Sequence, residues 1–161
     1  MNDTEPFQQA RAAALRFLTY RPRTEAEVRS RLRRNFPPQT ADRVIDDLKE
    51  RGLLDDAMFA RLWRDSRETL RPRSAWAIKR ELIAKGVDDG LAAETVQDVD
   101  DEESAYRAAL SPARRLRGAD FPTFHRRLWG YLRRRGFSDS VCRHTLDRLR
   151  TELAGEDHPH Q

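Results

Sequence analysis

The sequence predicts an all-α protein built from three tandem three-helix repeats. Apolar residues recur every three or four positions, as in residues 10–18 and 44–48, and no alternating stretch bounded by a hairpin turn occurs. A segment that contains a proline is also written three times in one register: YRPRTEAEVRSRL, LRPRSAWAIKREL and DFPTFHRRLWGYL. The hydrophobic share of 38% is low for one deep core, which favours thin helical layers.

The proline and a hydroxyl residue are predicted to separate two helices in each copy. Proline pushes the preceding residue out of the helical region, so it should stop the earlier helix. The three prolines are Pro22, Pro72 and Pro122. Thr24 and Ser74 can then cap the next helix, with Thr123 or Ser138 as the cap in the third copy. Thr24 and Glu27 have the spacing of a capping box.

One apolar stripe and one helix stop complete the middle helix of each copy. The stripes are the i,i+4 pairs Val28/Leu32, Ile78/Leu82 and Leu128/Leu132. Gly86 and Gly136 should end their helices in the left-handed conformation, followed by an apolar contact. The first copy has Asn35 at this point, and asparagine is the next best residue for that conformation.

These signals divide the chain into helical segments and repeats. The predicted helices are 6–20, 24–35, 39–51, 56–71, 74–85, 88–98, 101–117, 123–135 and 138–153. The predicted repeats are 1–54, 55–99 and 100–153, followed by a tail, 154–161. Because the tail has no apolar pattern, we expect it to be disordered.

Several function classes are excluded by what the sequence lacks. There is no phosphate-binding P-loop, no H-E-x-x-H and no G-x-S-x-G, so we expect no enzyme activity, no cofactor and no metal. Cys142 is the only cysteine, which favours a reducing compartment, and we expect it to be a small core residue. The polar start and the lack of a long apolar run predict a cytoplasmic protein with no membrane span.

Arginine clusters on equivalent middle helices carry the functional signal. A solvated charged face and a biased genome composition would each explain them, and so would binding to phosphates or carboxylates. Three stacked copies would form a basic stripe for a partner or for DNA. The candidate residues are Arg29, Arg31, Arg33, Arg34, Lys79, Arg80, Lys85, Arg126, Arg127, Arg133, Arg134 and Arg135.

Two further patterns leave alternatives open. Trp63, Trp76 and Trp129 could stack on bases, although tryptophans of this kind are more often core residues. The acidic string DVDDEES could hold a divalent cation or contact a basic partner, but acids are also favoured at a helix N-terminus.

The string GLLDDAMFA, residues 52–60, is the most distinctive local motif. Gly52 should end one helix, Asp55 or Asp56 should cap the next, and Met58 and Phe59 should begin the apolar face of that helix. The motif therefore predicts an abrupt junction, made by Gly52, Asp55, Asp56 and Phe59, between the first two repeats.

At this motif the sequence resembles the RecX family of bacterial regulatory proteins. GLLDDAMFARLWRDSR resembles the family signature, and RPRSAWAIKRELIAKGV resembles the segment that follows it. The likeness spans residues 10–153, with the third repeat weaker in motif. It implies three helix-turn-helix-like repeats in an elongated, curved array.

The resemblance also implies a partner and an activity. RecX-like proteins bind the filament of RecA, the DNA strand-exchange recombinase, and inhibit its growth, strand exchange, ATP hydrolysis and coprotease activity. That implies a role in homologous recombination, DNA repair and the SOS response. We expect a monomer, although the sequence does not settle the oligomeric state. The alternative is a helical repeat protein that binds single- or double-stranded DNA alone, and the residues do not choose between RecA and DNA.

Overall fold

A computed structural model describes residues 4–157, and this part of the chain is all-helical, with no strand. The all-α prediction is therefore confirmed. The helices are α1 (Thr4–Tyr20), α2 (Glu25–Leu32), α3 (Pro38–Glu50), α4 (Asp56–Leu70), α5 (Ala75–Ala84), α6 (Asp89–Thr95), α7 (Asp101–Arg115), α8 (Phe121–Arg134) and α9 (Asp139–Glu156). No helix among the described residues is long and apolar enough to cross a membrane.

Each predicted helix is present, with shifted ends. α2 and α6 end three residues before the predicted positions, because turns close their last carbonyls. α9 continues to Glu156, so residues 154–156, which the sequence assigned to the tail, are helical. Residues 158–161 of that tail lie outside the described part, and the repeat boundaries stay predictions.

The predicted caps of the first two copies are confirmed. Thr24 and Glu27 form the reciprocal capping box at the start of α2. The Ser74 hydroxyl accepts a hydrogen bond from the backbone N–H of Ala77 at 3.0 Å. In the third copy, Ser138 caps α9 by accepting from the N–H of Val141.

Two local predictions are wrong, and so is one of the two alternatives for the cap in the third copy. Thr123 does not cap α8. Asp120 occupies the N-cap position instead, and its carboxylate accepts the N–H of Thr123. Pro122 does not stop a helix either: it lies in the first turn of α8, where its missing N–H costs nothing. Asn35 is not left-handed, because its N–H and that of Phe36 both close on the carbonyl of Leu32 in an ordinary turn.

The described helices form two compact units. The first comprises residues 4–63 and 81–95, and α1, α2 and α3 pack together around its core. The buried core residues are Ala10, Ala14, Val28, Leu32, Ala41, Val44, Ile45, Leu48 and Leu54.

A joint in this first unit links the start of α2 to the end of α5 and the start of α4. The Thr24 hydroxyl donates to the carbonyl of Lys85 at 2.6 Å. The Asp56 carboxylate accepts the N–H of Glu25 at 2.9 Å. Gly86, at φ +90°, lies so close to α2 that an added Cβ would overlap the Cβ of Ala26.

The second unit comprises residues 64–80 and 96–157, and α7, α8 and α9 enclose its core. Cys142 is fully buried there, which confirms it as a core residue, and burial raises the pKa of its thiol. The buried core also contains Ala105, Ala108, Ala109, Ala113, Phe124, Leu128, Leu132, Phe137, Val141, Leu146, Leu149 and Leu153.

The second unit contains the same joint between α5, α8 and α7. The N–H of Ser74 donates to the carbonyl of Arg135 at 3.1 Å. The Asp101 carboxylate accepts the N–H of Ala75 at 2.8 Å. An added Cβ on Gly136, at φ +91°, would lie 2.5 Å from the Ser74 hydroxyl oxygen. The hydroxyl, acid and glycine positions of the repeats therefore make one recurring contact.

The half-buried carboxylates of these joints lead to a prediction about pH. Burial raises the pKa of Asp56 and of Asp101 by more than their backbone hydrogen bonds lower it. The folded state then binds the proton more tightly than the unfolded state, so stability is lost as pH rises through the raised pKa.

We expect Asp101→Asn to be at least as stable as the parent at neutral pH, because the amide keeps an acceptor oxygen and carries no charge to desolvate. This advantage should vanish by about pH 3, about one unit below the usual aspartate pKa, where the side chain is largely protonated in both states. Asp101→Ala should instead cost about 1 kcal/mol as a lost helix cap. Urea unfolding at both pH values tests this, and an asparagine variant as unstable as the alanine variant at neutral pH would contradict it.

Candidate functional site: arginine-lined grooves

The structure separates the predicted basic residues by what already holds them. Arg29 is tied to Glu25 at 3.1 Å and to Asp42 at 3.3 Å. Partial burial lowers the pKa of Arg29, but the hydrogen bonds and charges of Glu25 and Asp42 together raise it by more. Its charge is therefore largely used within the fold.

Arg133 and Arg135 at the end of α8 are also occupied. Arg133 donates to the carbonyl of Phe137 at 2.8 Å and pairs with Asp139 at 3.2 Å. Arg135 donates to the carbonyl of Pro72 at 3.4 Å, and its guanidinium lies 4.5 Å from the centre of the Tyr131 ring. Both side chains stabilise the end of α8, and these contacts within the fold make both guanidinium groups less available to bind a partner.

One cation of α5 and one just after it lie against aromatic rings. Arg80 lies over the ring of Trp76 at 4.9 Å, and the amino group of Lys85 lies over the ring of Trp63 at 5.2 Å. Lys79 is half-buried and Arg80 is exposed.

A first basic groove, the α2 groove, lies in the first unit and has a volume of about 430 Å³. Arg31 from α2, Arg34 in the turn after α2 and Lys85 after α5 supply its positive charge, and Glu27 also lines it. Glu27 is already paired with Arg21 at 2.7 Å. The remaining lining residues are Phe17, Ala26, Ser30, Ala84 and Gly86. Arg33 is exposed outside this lining.

A second basic groove, the α8 groove, lies between α7 and α8 in the second unit and has a volume of about 580 Å³. Four guanidinium groups line it, and its lining residues include no acid. Within residues 4–157 none of these four arginines makes an ion pair. The arginines are Arg115, Arg126, Arg127 and Arg134, and the apolar floor is Pro112, Leu116, Leu128 and Tyr131.

The local sequence explains why arginines converge in this groove. The stripe of α8 that contains Leu128 faces the core, so Arg127 and Arg134 lie on its flank about two turns apart. Gly130 leaves room for Arg134, since an added Cβ would lie 3.0 Å from the Nη1 atom of Arg134. A hydrogen bond to Thr123 lowers the pKa of the nearby Asp120, and the charge of Arg126 lowers it further.

Sequence reasoning missed Arg115, because this residue lies on α7 and not on a middle helix. Its position in the arginine-rich string ARRLRG was the available signal, but only packing brings it beside α8. The acidic string behaves as a helix start: Asp100 caps α7 by accepting the N–H of Glu103.

The tryptophans divide between core and surface. Trp63 stacks on Phe59 with ring centres 5.9 Å apart and donates to Glu81 at 2.6 Å. Trp129 is half-buried against the core of the second unit. Trp76 is 60% exposed, so its assignment to the core is wrong: its side chain points to solvent beside Arg80.

The junction motif folds largely as its residues predict. Gly52 is left-handed at φ +70°, and the Asp55 carboxylate caps α4 by accepting the N–H of Met58 at 3.1 Å. Asp56 reaches Glu25 instead, so the two acids have separate roles. Phe59 is buried, whereas Met58 is 45% exposed.

Comparison with known proteins finds two matching three-helix domains. The first three-helix domain of RecX matches residues 10–48, and the second matches residues 55–96. The regulatory protein RecX of Streptomyces coelicolor is 38% identical over 97% of this chain and 85% of its own length. The chain belongs to the RecX family. The regulatory protein RecX of Mycobacterium tuberculosis is 37% identical over 95% of this RecX-family chain and 91% of its own length.

A solved RecX structure shares the fold. The crystal structure of RecX from Lactobacillus salivarius superposes with a TM-score of 0.77, covering 94% of this chain and 98% of its own. Sequence identity in that pair is 23%, so the likeness concerns the fold alone.

Proposed function

We propose that this protein regulates the RecA recombinase by binding the RecA–DNA filament, where it limits filament growth and inhibits strand exchange, ATP hydrolysis and coprotease activity. The observation that carries the proposal is the α8 groove, where four arginines line one open surface without an ion pair in residues 4–157. A RecX-family chain with such a surface is suited to a polyanionic filament.

An arginine that is already paired with a carboxylate of its own protein attracts an anionic partner less strongly than an unpaired one. The four arginines of the α8 groove differ in this respect from Arg29 and Arg133, which are paired with carboxylates of the fold. A guanidinium without such a partner can grip two oxygens of a phosphate or a carboxylate. We place this action in the cytoplasm, by a monomer, in recombination and the SOS response.

A second candidate is a protein that binds DNA alone. The same four guanidiniums favour it, because a phosphate backbone offers them oxygens as well as an acidic protein surface does. In that case inhibition of RecA would follow only from competition for DNA.

One titration separates the two candidates. The protein is added to RecA filaments on single-stranded DNA while ATP hydrolysis is recorded, beside a binding assay with the same DNA alone. We expect inhibition at substoichiometric amounts, because an agent at a filament end or in its groove affects many subunits. Inhibition only when the DNA is fully coated would support simple competition instead.

A further inference from the structure

An apolar groove of about 700 Å³ lies in the first unit, between the end of α1 and the start of α4. It is distinct from the basic grooves, and its apolar lining comes from Leu15, Leu18, Tyr20, Leu53, Met58 and Leu62 together with Pro22 and Phe59. The GLLDDAMFA motif supplies much of one wall.

The side chains of this apolar groove are unusually exposed for their size. Tyr20 is 84% exposed, Leu53 48% and Leu62 51%, so they form a cluster rather than single surface residues. An exposed apolar cluster on one face is typical of a protein-binding surface.

The motif itself produces this exposure. Left-handed Gly52 turns the chain so that Leu53 points outward while Leu54 is buried at 4% exposure. On α4, Met58 and Leu62 are one turn apart and share the outer face, whereas Phe59 packs inward and stacks on Trp63. Buried side chains therefore hold the groove in place from below, and solvent-exposed apolar side chains form its rim.

The charged groups of the apolar groove are used within the fold. Arg21 donates to Glu27 at 2.7 Å and to the carbonyl of Pro22 at 3.0 Å. The Arg23 guanidinium lies 3.9 Å from the centre of the Phe17 ring. Asp55 caps α4. A polyanion would find no unpaired cation inside this groove.

One cation remains at its edge. The guanidinium of Arg61 lies 3.8 Å from the sulfur of Met58 and makes no ion pair in the described part of the chain. An occupant with apolar side chains and an adjacent carboxylate would match both the groove and this charge.

We infer that the apolar groove docks an amphipathic helix of a protein partner, with apolar side chains at i,i+4 spacing and a carboxylate that meets Arg61. Such helices bind by laying their apolar face into a groove. Under the proposed function, on which this choice of partner rests, the helix belongs to a RecA subunit. The basic and apolar grooves then serve different components of the filament.

The test uses a triple variant, Leu53→Gln, Met58→Gln and Leu62→Gln, in the full chain. Its control is Leu70→Gln with Ile83→Gln, which removes apolar side chains that are 76% and 41% exposed outside the groove. Binding to immobilised RecA filaments on single-stranded DNA is measured beside binding to the bare DNA, and circular dichroism checks folding.

We expect the groove variant to lose about tenfold or more in filament affinity, with binding to bare DNA unchanged and the control close to the parent. Tyr20→Ala, at the most exposed lining position, should weaken filament binding in the same direction and is a second variant in case the triple variant unfolds.

A groove variant that binds filaments like the control overturns the inference. Equal loss on filaments and on bare DNA also overturns it, because the groove would then take nucleic acid. If the parent itself fails to bind filaments, the proposed function fails together with this partner, so the parent and variant measurements distinguish the two failures.

Discussion

Replacing Gly86 by alanine is expected to lower the free energy of unfolding by about 3 kcal/mol. The residue is left-handed at φ +90°, which costs an L-residue with a Cβ about 1–2 kcal/mol. The new Cβ would also overlap the Cβ of Ala26 on α2, and both atoms belong to packed backbone segments that cannot move aside cheaply.

Gly52→Ala is the matched control for this effect. Gly52 is also left-handed, at φ +70°, but no atom lies within 4 Å of its added Cβ, so it should show the backbone cost alone. Urea unfolding of the two variants separates strain from overlap. Equal losses would mean that the joint at Gly86 yields without cost.

A double variant tests the contact itself. Ala26→Gly removes the atom that the new Cβ meets, so Gly86→Ala should cost less in that background than in the parent. Additive losses would show that the two residues do not interact.

Neutralising the α8 groove is expected to abolish RecA inhibition at concentrations where the parent is fully active. The variant carries Gln at Arg115, Arg126, Arg127 and Arg134, and it leaves Arg133 in place because that residue holds the end of α8. If the groove meets single-stranded DNA, each lost contact should also reduce the salt slope of log affinity by about 0.7.

The control removes the same formal charge from exposed positions of the second unit outside the groove. It carries Gln at Arg107, Arg114, Arg143 and Arg150. Filament inhibition, filament binding and DNA binding are compared at several salt concentrations. If both variants lose activity equally, net charge alone explains the effect. If neither does, the groove arginines form only a solvated face.

The sequence predicted features that depend on neighbouring residues. Periodic apolar residues indicated the helices, and the capping pair Thr24 and Glu27 forms as its spacing requires. Asn35 and Thr123 failed because an ordinary turn and a better-placed Asp120 satisfy the same backbone groups at lower cost.

The candidate site depends on packing, which the pattern of residues does not reveal. Arg29 and Arg31 look alike in the sequence, yet only Arg29 meets Asp42 of another helix. Arg115 gained its position when α7 packed against α8. The assignment of the arginines to a partner stays a prediction.

The recurring joint gives the tandem copies a direction. Gly86 packs against the Thr24 end of α2, and Gly136 packs against the Ser74 end of α5. In each contact a glycine at the end of one helix meets the hydroxyl residue at the start of another. Within residues 4–157 the end of α2 in the first copy makes no such contact, so the first copy can carry Asn35 where the others have glycine. Among the described residues no glycine closes on the start of α8 in the third copy, and there Asp120 replaces the hydroxyl residue as the cap. The second copy has both the hydroxyl residue at a helix start and the glycine at a helix end. Of the three predicted copies, it alone could therefore be duplicated and inserted between its neighbours without changing its ends.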